Sequence, residues 1–123
     1  MKNFFFLFVW TIFLSLNLYA SNLIPGKLKI NSDYTIEVFA SDVDTPRQLA
    51  EGEDGRIYVG TMLGNQILAL KDTDGNGVAD ERLVIAENLN RATGVSIFND
   101  DLYFSEIDKI WKIEKISNQL SAN

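Results

Sequence analysis

The segment DTDGNGVAD at residues 72–80 has the composition and the spacing of a calcium-binding loop. Oxygen donors stand at its first, third, fifth and ninth positions, and a glycine at the sixth position permits a tight turn. Calcium prefers about six to eight hard oxygen ligands, which often include a backbone carbonyl at the seventh position. The predicted metal ligands are therefore Asp72, Asp74, Asn76, Val78 and Asp80.

This loop differs from an EF-hand in two respects. Its twelfth position is Leu83 instead of a bidentate glutamate, and strand-like rather than helical sequences flank it. It is closer to a calcium-binding hairpin loop in which Asp80 supplies the closing ligand. The alternative is a solvated turn without a metal, because Asp, Asn and Gly are also the ordinary turn residues. A bound ion would have a structural role, because it would hold the hairpin in one conformation.

Two arginines are candidates for binding an anion. Arg47 and Arg91 each precede a short apolar run that is typical of a strand. A pair of guanidinium groups suits an anionic ligand or cofactor. The alternative is that they form surface ion pairs with nearby acids, namely Asp42, Asp44 or Glu87. Glu106 ends a predicted strand and is a further polar candidate for the same region.

The composition excludes several kinds of site within these 123 residues. The chain contains no histidine, which excludes histidine zinc ligands, Ser-His triads and histidine general bases. It contains no cysteine, which excludes disulfides and thiolate chemistry. The formal net charge is −6, with 17 Asp and Glu residues against 11 Lys and Arg residues, and this argues against nucleic acid as a partner.

The first twenty residues have the layout of a secretory signal peptide. Lys2 precedes an apolar run at residues 4–16, and Ala20 offers a small residue before the cleavage point. The rival interpretation is an uncleaved membrane anchor, but Asn17 interrupts the run before the roughly 20 apolar residues of a spanning helix. We therefore predict a signal peptide at 1–20 and a mature domain at 21–123. The predicted location is periplasmic or secreted, with no stable membrane span after cleavage.

The mature part is predicted to be all-β. Short runs of apolar and β-branched residues alternate with Gly, Asp and Asn, as in strands joined by turns. The runs at 37–40, 46–50, 54–60 and 66–70 recur at 83–86, 92–96, 100–105 and 109–113. Tyr58 and Tyr103 lie 45 positions apart, and Ile67 and Ile110 lie 43 apart. A period in the mid-forties with four short strands in each repeat indicates β-propeller blades.

The order of these strands predicts about two four-stranded antiparallel blades. If the innermost strand of a blade is called A and the outermost D, the chain has a D strand at 34–39, then A to D, then A to C. The repeats span about residues 34–81 and 82–116. Because two blades cannot close a ring, we expect a truncated, N-terminal part of a longer propeller. The alternative is a stand-alone sandwich of seven strands.

The ordered set of motifs resembles the glucose/sorbosone dehydrogenase family and is most similar to its sorbosone-dehydrogenase-like branch. The resemblance covers about residues 28–116, nearly the whole mature chain. The motifs that carry it are YTIEVFA at 34–40, PRQLA at 46–50, DGRIYVGT at 54–61, DTDGNGVADE at 72–81 and NLNRATGV at 88–95.

The resemblance implies a six-bladed, secreted propeller that oxidises a sugar or aldose with pyrroloquinoline quinone (PQQ) beside calcium. In such enzymes a histidine accepts the proton of the substrate hydroxyl while hydride passes to the quinone. That histidine is absent from these 123 residues, so the chain alone is expected to be inactive. Ala92 and Thr93 also differ from the Pro-Asn pair that the resemblance leads us to expect before Gly94. Arg47 and Arg91 would help to hold the anionic cofactor.

Two other functions are consistent with the same motifs. The first is a non-catalytic, calcium-stabilised propeller that acts as a binding or scaffold module. The second is a calcium-dependent hydrolase propeller of the lactonase kind. That family places its metal ligands inside the central channel, whereas the acids at residues 72–80 fall on a predicted outer hairpin. A histidine in a following blade would favour the dehydrogenase over the binding module. The substrate and the electron acceptor are not indicated by the sequence.

Overall fold

The computed structural model describes residues 29–121, and these contain seven strands and one short helix. In chain order they are β1 (Pro46–Glu51), β2 (Ile57–Thr61), β3 (Ile67–Lys71), β4 (Glu81–Ala86), β5 (Gly94–Phe98), β6 (Asp101–Ser105), β7 (Ile110–Ile113) and α1 (Ile116–Ser121). The predicted all-β class is confirmed. The strands also lie where the repeated apolar runs predicted them.

The strands form two antiparallel sheets. The first sheet has the order β1-β2-β3-β4, and the second has the order β5-β6-β7. Four strands followed by three is the predicted order. A two-residue turn joins β5 to β6, and its residues Asn99 and Asp100 have φ values of 52° and 65°. Two positive φ angles define the type I′ turn, whose twist matches that of a hairpin. The first sheet includes all of β4, so it extends beyond the repeat boundary predicted at residue 81.

One face of the first sheet packs on one face of the second. Successive side chains of a strand point to opposite faces, so alternate residues of β2, β3, β5 and β6 meet at this interface. β1 and β5 are neighbours across it. Its buried residues, which we call the inter-sheet core, are Tyr58, Ile67, Ala69, Ala92, Val95, Leu102, Phe104 and Ile116.

The opposite face of the first sheet is covered by the chain segment that precedes β1. Val59, Leu68 and Leu70 are buried on this face. The residues packed against them, which complete what we call the outer core, are Phe39, Ala40, Val43, Ile57 and Ala79. The two central strands, β2 and β3, are therefore buried on both faces, which explains why they are nearly continuous in apolar residues.

The second sheet has no such cover among residues 29–121. Phe98 is 64 % exposed and Ile110 is 79 % exposed, and both lie on the face opposite to the inter-sheet core. β7 forms the edge of this sheet and pairs only with β6 within the described residues. The second sheet thus presents an apolar face and an open edge.

The segment predicted as an outer strand, residues 34–39, is not paired as a strand within the described structure. This segment pairs with no strand of residues 29–121, and its one backbone link to the sheets is the Phe39 carbonyl, which accepts a hydrogen bond from Ala79 N (2.8 Å). The sequence alternates as a strand does, but a strand also needs a neighbour with a free edge. The predicted signal peptide at 1–20 lies outside the described residues. No helix within 29–121 is long and apolar enough to cross a bilayer.

Gly60 on β2 permits the close approach of the two sheets. A Cβ atom at this position would lie 2.7 Å from the carbonyl oxygen of Thr93 and 2.9 Å from that of Ala92. Both are backbone atoms, so we expect Gly60→Ala to lower the free energy of unfolding by about 1–3 kcal/mol. Urea denaturation followed by tryptophan fluorescence measures this change.

Gly94→Ala is the matched control for that measurement. The nearest atom to a Cβ at Gly94 is the hydroxyl oxygen of Ser105, which can rotate away. We therefore expect a smaller loss than for Gly60→Ala. Equal losses for the two variants would show that the backbone contact at Gly60 does not limit the packing of the sheets.

Candidate metal centre

The predicted calcium ligands lie in the connection between β3 and β4, which we call the acidic loop (residues 72–80). The Asp72 carboxylate organises it by accepting backbone N–H bonds from Gly75 (2.8 Å), Asn76 (3.2 Å) and Gly77 (2.8 Å). Gly75 and Gly77 have φ values of 77° and 89°, a conformation that glycine adopts without strain. The N–H bonds, first that of Gly77, lower the pKa of Asp72.

The Asp80 carboxylate fastens the other end of the acidic loop. It accepts the Thr73 hydroxyl at 2.6 Å and the Thr73 backbone N–H at 2.9 Å. These two hydrogen bonds lower the pKa of Asp80, and the bond from the hydroxyl has the larger effect. The charge of Asp72 acts in the opposite direction. The sequence analysis did not identify Thr73. The only signal for it is that a hydroxyl residue follows the first acid of the motif.

The remaining predicted ligands continue the same turn. Asp74 accepts hydrogen bonds from both the backbone N–H and the side-chain amide of Asn76 (3.1 and 3.0 Å), and the Asn76 side-chain oxygen accepts the Val78 N–H (2.8 Å). Asp72, Asp74 and Asn76 are thus linked to one another, and Asp80 is tied to Thr73.

The acidic loop supplies the right atoms for calcium, but its oxygens face backbone N–H groups. No group of three or more Asp, Glu, His or Cys side chains within 29–121 has the arrangement of a metal site. Carboxylate and amide oxygens are nonetheless the ligands that calcium prefers. A carboxylate or amide oxygen that accepts one N–H bond keeps a second lone pair, so these hydrogen bonds do not prevent the same oxygens from ligating an ion.

A second charged cluster lies on the first sheet, and the sequence analysis did not predict it. Arg56 is buried, donates to Glu81 from Nε (3.1 Å) and Nη2 (2.7 Å), and forms an ion pair with Asp54. Burial opposes the charge of Arg56, but the hydrogen bonds to the two acids outweigh it, so the pKa of Arg56 is raised. The Asp-Gly sequence at 54–55 signals a turn, whereas the contact with Glu81 depends on the fold. This cluster fastens β2 to the start of β4.

Arg47 and Arg91 are both exposed and form no ion pair with any acid of residues 29–121. Ion pairs with Asp42, Asp44 or Glu87, the alternative interpretation, are therefore not made within the described residues. The only predicted partner that contacts an arginine is Asp42, whose backbone carbonyl accepts Arg82 Nη1 at 2.8 Å. Two guanidinium groups thus remain available near the starts of β1 and β5.

Glu106 has a structural role in the loop between β6 and β7. Its carboxylate accepts the Asn90 backbone N–H at 2.6 Å and Trp111 Nε1 at 2.7 Å. These hydrogen bonds, first that of Asn90, lower the pKa of Glu106. The carboxylate is engaged on both oxygens and does not act as a free group near the arginines.

The pKa of the Asp80 carboxyl is expected to lie below that of an ordinary aspartate, because Thr73 hydrogen-bonds its charged form. A folded-state pKa below the unfolded value means that this group stabilises the fold above the unfolded pKa, and that the stabilisation is lost as the pH falls through the folded value. In Thr73→Ala the hydroxyl bond is absent, so the pKa of Asp80 should rise toward its usual value. A carboxyl ¹³C NMR titration measures it.

Asp72 is the internal control in the same spectra, since its pKa depends chiefly on the N–H groups of the acidic loop. It should keep its low pKa in Thr73→Ala. A rise for both aspartates would instead mean that the whole loop has rearranged.

Comparison with known proteins places this chain in a family. Residues 25–122 match the family described as Domain of unknown function (DUF7133). A protein of Borreliella burgdorferi, described as an uncharacterized protein, is 25 % identical over 123 residues. That alignment covers 98 % of this chain and 31 % of the other protein, so the chain spans about a third of the length of the curated relative. Because the family match extends over most of the sequence, the chain belongs to the DUF7133 family.

Proposed function

We propose that the two sheets are adjacent blades of a β-propeller. The observation that carries the proposal is the order of the strands along the chain. A strand-like segment without a partner in the described residues comes first, a four-stranded sheet follows, and a sheet of three strands comes last. The neighbouring positions of β1 and β5 fit two innermost strands beside a central channel. Sheets packed face to face with the strand order of a meander are the repeating unit of this architecture.

We further propose that the acidic loop binds calcium and that the ion is structural. The proposal is supported by five oxygen donors within nine residues and by the low pKa of Asp72 and of Asp80, which keeps both charged at neutral pH. The loop connects the two outer strands of the first sheet and lies far along the chain from both free arginines. An ion here would stiffen the β3–β4 hairpin.

The activity that we propose for the whole protein is oxidation of a sugar or aldose by a secreted, PQQ-dependent dehydrogenase. It rests on the sequence resemblance, and the longer relative leaves room for further blades. The quinone, when bound, accepts a hydride from the substrate carbon, while the proton of the substrate hydroxyl passes to a base outside these 123 residues.

The contribution of this chain to such a site would be electrostatic. PQQ carries carboxylates, and Arg47 and Arg91 are exposed, free of ion pairs within 29–121 and close to the inner strands. A cleft of about 190 Å³ is lined by Gln48, which follows Arg47 in β1, and by residues that include Gly94 and Ser105, but by neither arginine. Ligand pockets usually measure roughly 300–1,000 Å³. The described residues would therefore form one side of a cofactor site.

The second candidate function is a non-catalytic binding or scaffold module. It is favoured by the surroundings of three acidic or phenolic groups outside the acidic loop, namely Glu106, Asp100 and Tyr58. Glu106 accepts two structural hydrogen bonds, Asp100 accepts bonds from the backbone and side chain of Ser117 at the start of α1, and burial raises the pKa of Tyr58 to about 12. Neither Glu106, whose pKa is lowered, nor Tyr58, whose pKa is raised, is poised for proton transfer at neutral pH.

Calcium should raise the melting temperature of the chain. At a free concentration about a hundred times Kd, binding adds about 2.7 kcal/mol to the stability, which corresponds to roughly 10 °C for a domain of this size. Calorimetry with calcium and with a chelator measures the shift. The double variant Asp74→Asn/Asp80→Asn should lose it.

Asp108→Asn is the matched control, because Asp108 is an exposed acid outside the acidic loop. It should keep the full calcium response. An unchanged melting temperature of the wild-type chain in calcium would contradict the metal proposal.

PQQ binding distinguishes the two candidate functions. We expect the calcium-loaded protein to bind the quinone, and Arg47→Gln/Arg91→Gln to weaken binding at least tenfold because two charge-assisted contacts are lost. Fluorescence titration measures the affinity. Arg82→Gln is the control, since its guanidinium already donates to the Asp42 carbonyl. Equal affinities for the three proteins, or no binding by the wild type, would favour the scaffold module.

A further inference from the structure

Arg47 stands at a break in the ladder between β1 and β2. The register of the two strands shifts between Pro46 and Gln48, so Arg47 is the extra residue of a β-bulge. A bulge leaves its extra residue without a ladder partner and re-aims its side chain, and bulges are over-represented next to active sites. The direction of the exposed Arg47 side chain is therefore set by this local feature and not by the regular pleat of the sheet.

Arg91 also stands at an irregular point of the backbone. Its φ is 52°, in the left-handed region, where a residue with a side chain is strained. Strain of this kind persists only where the surroundings hold it, and it is concentrated at ligand sites. The Arg91 N–H donates to the side-chain oxygen of Asn65 (3.2 Å), and the Leu89 N–H donates to the Asn65 carbonyl (3.0 Å). Asn65 thus holds the chain in the conformation that Arg91 adopts.

The connection between β2 and β3, which we call the β2–β3 turn (residues 62–66), also holds the entrance to β1. The Met62 N–H donates to the Thr45 carbonyl (3.0 Å), and the Leu63 N–H donates to the Thr45 hydroxyl oxygen (2.7 Å). Thr45 is β-branched and has a φ of 44°, which is an outlier for such a residue. The same turn is therefore bonded to the backbone at or shortly before each of the two arginines.

The two arginines lie at the same end of the packed sheets. Gly60 of β2 pairs with Gln48, which follows Arg47. A Cβ atom at Gly60 would lie 2.9 Å from the carbonyl oxygen of Ala92, which follows Arg91. The residues next to the two arginines therefore meet at one glycine of the sheet interface. Both arginines are exposed and form no ion pair with an acid of residues 29–121, so this end of the sheets favours an anionic ligand.

We propose that the β2–β3 turn is the positioning element of this anion site, and that its Asn65 side chain fixes Arg91 so that the guanidinium groups of Arg91 and Arg47 bind carboxylates of one ligand. The inference rests on the proposed role of the two arginines in holding an anionic cofactor. Association costs free energy for each long side chain and loop that must be ordered, and a preformed backbone reduces that cost. Asn65 does not contact the ligand and acts through Arg91.

Asn65→Gly tests this role because it removes only the side-chain bond to Arg91. Glycine adopts the φ of 52° at this position without strain, and the bond from the Leu89 N–H to the backbone carbonyl is kept. We expect the affinity of the calcium-loaded protein for PQQ to fall about three- to tenfold, the range for ordering one long side chain. Fluorescence titration measures the affinity.

Asn88→Gly is the matched control. Asn88 also has a positive φ, 58°, and its side chain forms no hydrogen bond within residues 29–121. The same substitution there should leave the affinity for PQQ unchanged. Amide hydrogen exchange provides a readout without ligand, because the Arg91 N–H should exchange roughly tenfold faster in Asn65→Gly and at the wild-type rate in Asn88→Gly.

A double-mutant cycle separates positioning from a general structural effect. In a protein that carries Arg91→Gln, Asn65→Gly has no guanidinium group to position, so it should change the affinity for PQQ by less than about twofold. Thermal unfolding checks that each variant folds.

Two results would overturn the positioning role alone, namely an unchanged affinity in Asn65→Gly or an equal loss with and without Arg91. In both cases the comparison of the wild type with Arg47→Gln/Arg91→Gln would still decide whether the two arginines bind the quinone. A wild-type protein that binds no PQQ would contradict the proposed function and the positioning role together.

Discussion

The face-to-face packing of the two sheets determines where every other feature of this chain lies. It requires a glycine at residue 60, because the carbonyl groups of Ala92 and Thr93 occupy the space of a side chain. It also buries Leu102 completely, and such a burial stabilises the fold by about 1.5–3 kcal/mol. β1 is thereby fixed beside β5, with Arg47 near the start of β1 and Arg91 in the segment before β5. The acidic loop, on the β3–β4 side, is kept apart from them.

The same packing explains why some charged side chains form ion pairs and others do not. Arg56, Asp54 and Glu81 are partly or fully withdrawn from water, and they neutralise one another because an unpaired charge in that position would be costly. Charges on exposed loops have no such constraint, so Arg47 and Arg91 remain without ion pairs in the described residues. In the acidic loop the charge is compensated by backbone N–H groups and by Thr73, which need no second charge. Because these N–H and hydroxyl groups carry no net charge, the loop remains anionic and is therefore suited to a cation.

Much of this fold could be predicted from the sequence, because strands and turns are encoded locally. The repeat that aligns Tyr58 with Tyr103 gave the positions of seven strands, and the Asp and Asn residues between them gave the turns. The packing of Phe39 and Ala40 on the outer core could not be predicted in this way, since the alternation of residues 34–39 is local but the surface that they pack against is not. The same holds for the contact of Arg56 with Glu81, 25 residues later, and for the role of Glu106, whose partners come from the β4–β5 connection and from β7. For the candidate metal site, the sequence predicts which loop carries the oxygen donors. It does not predict the directions in which those oxygens point.

The difference between the two sheets follows from what covers their outer faces. The first sheet is complete because the segment before β1 returns over it and buries Phe39, and its apolar residues are accordingly distributed on both faces of β2 and β3. The second sheet has the same strand order and a similar apolar pattern, including Phe98 and Ile110, but nothing in residues 29–121 covers it. In repeat proteins each unit buries only the face toward its neighbour. Exposed apolar residues on the outer face of one sheet are therefore expected where a further repeat stacks on that sheet. Within residues 29–121 the second sheet is therefore open both at the face that carries Phe98 and Ile110 and at the edge of β7, whereas in the first sheet β4 pairs with β3 and the segment before β1 covers the outer face of the central strands.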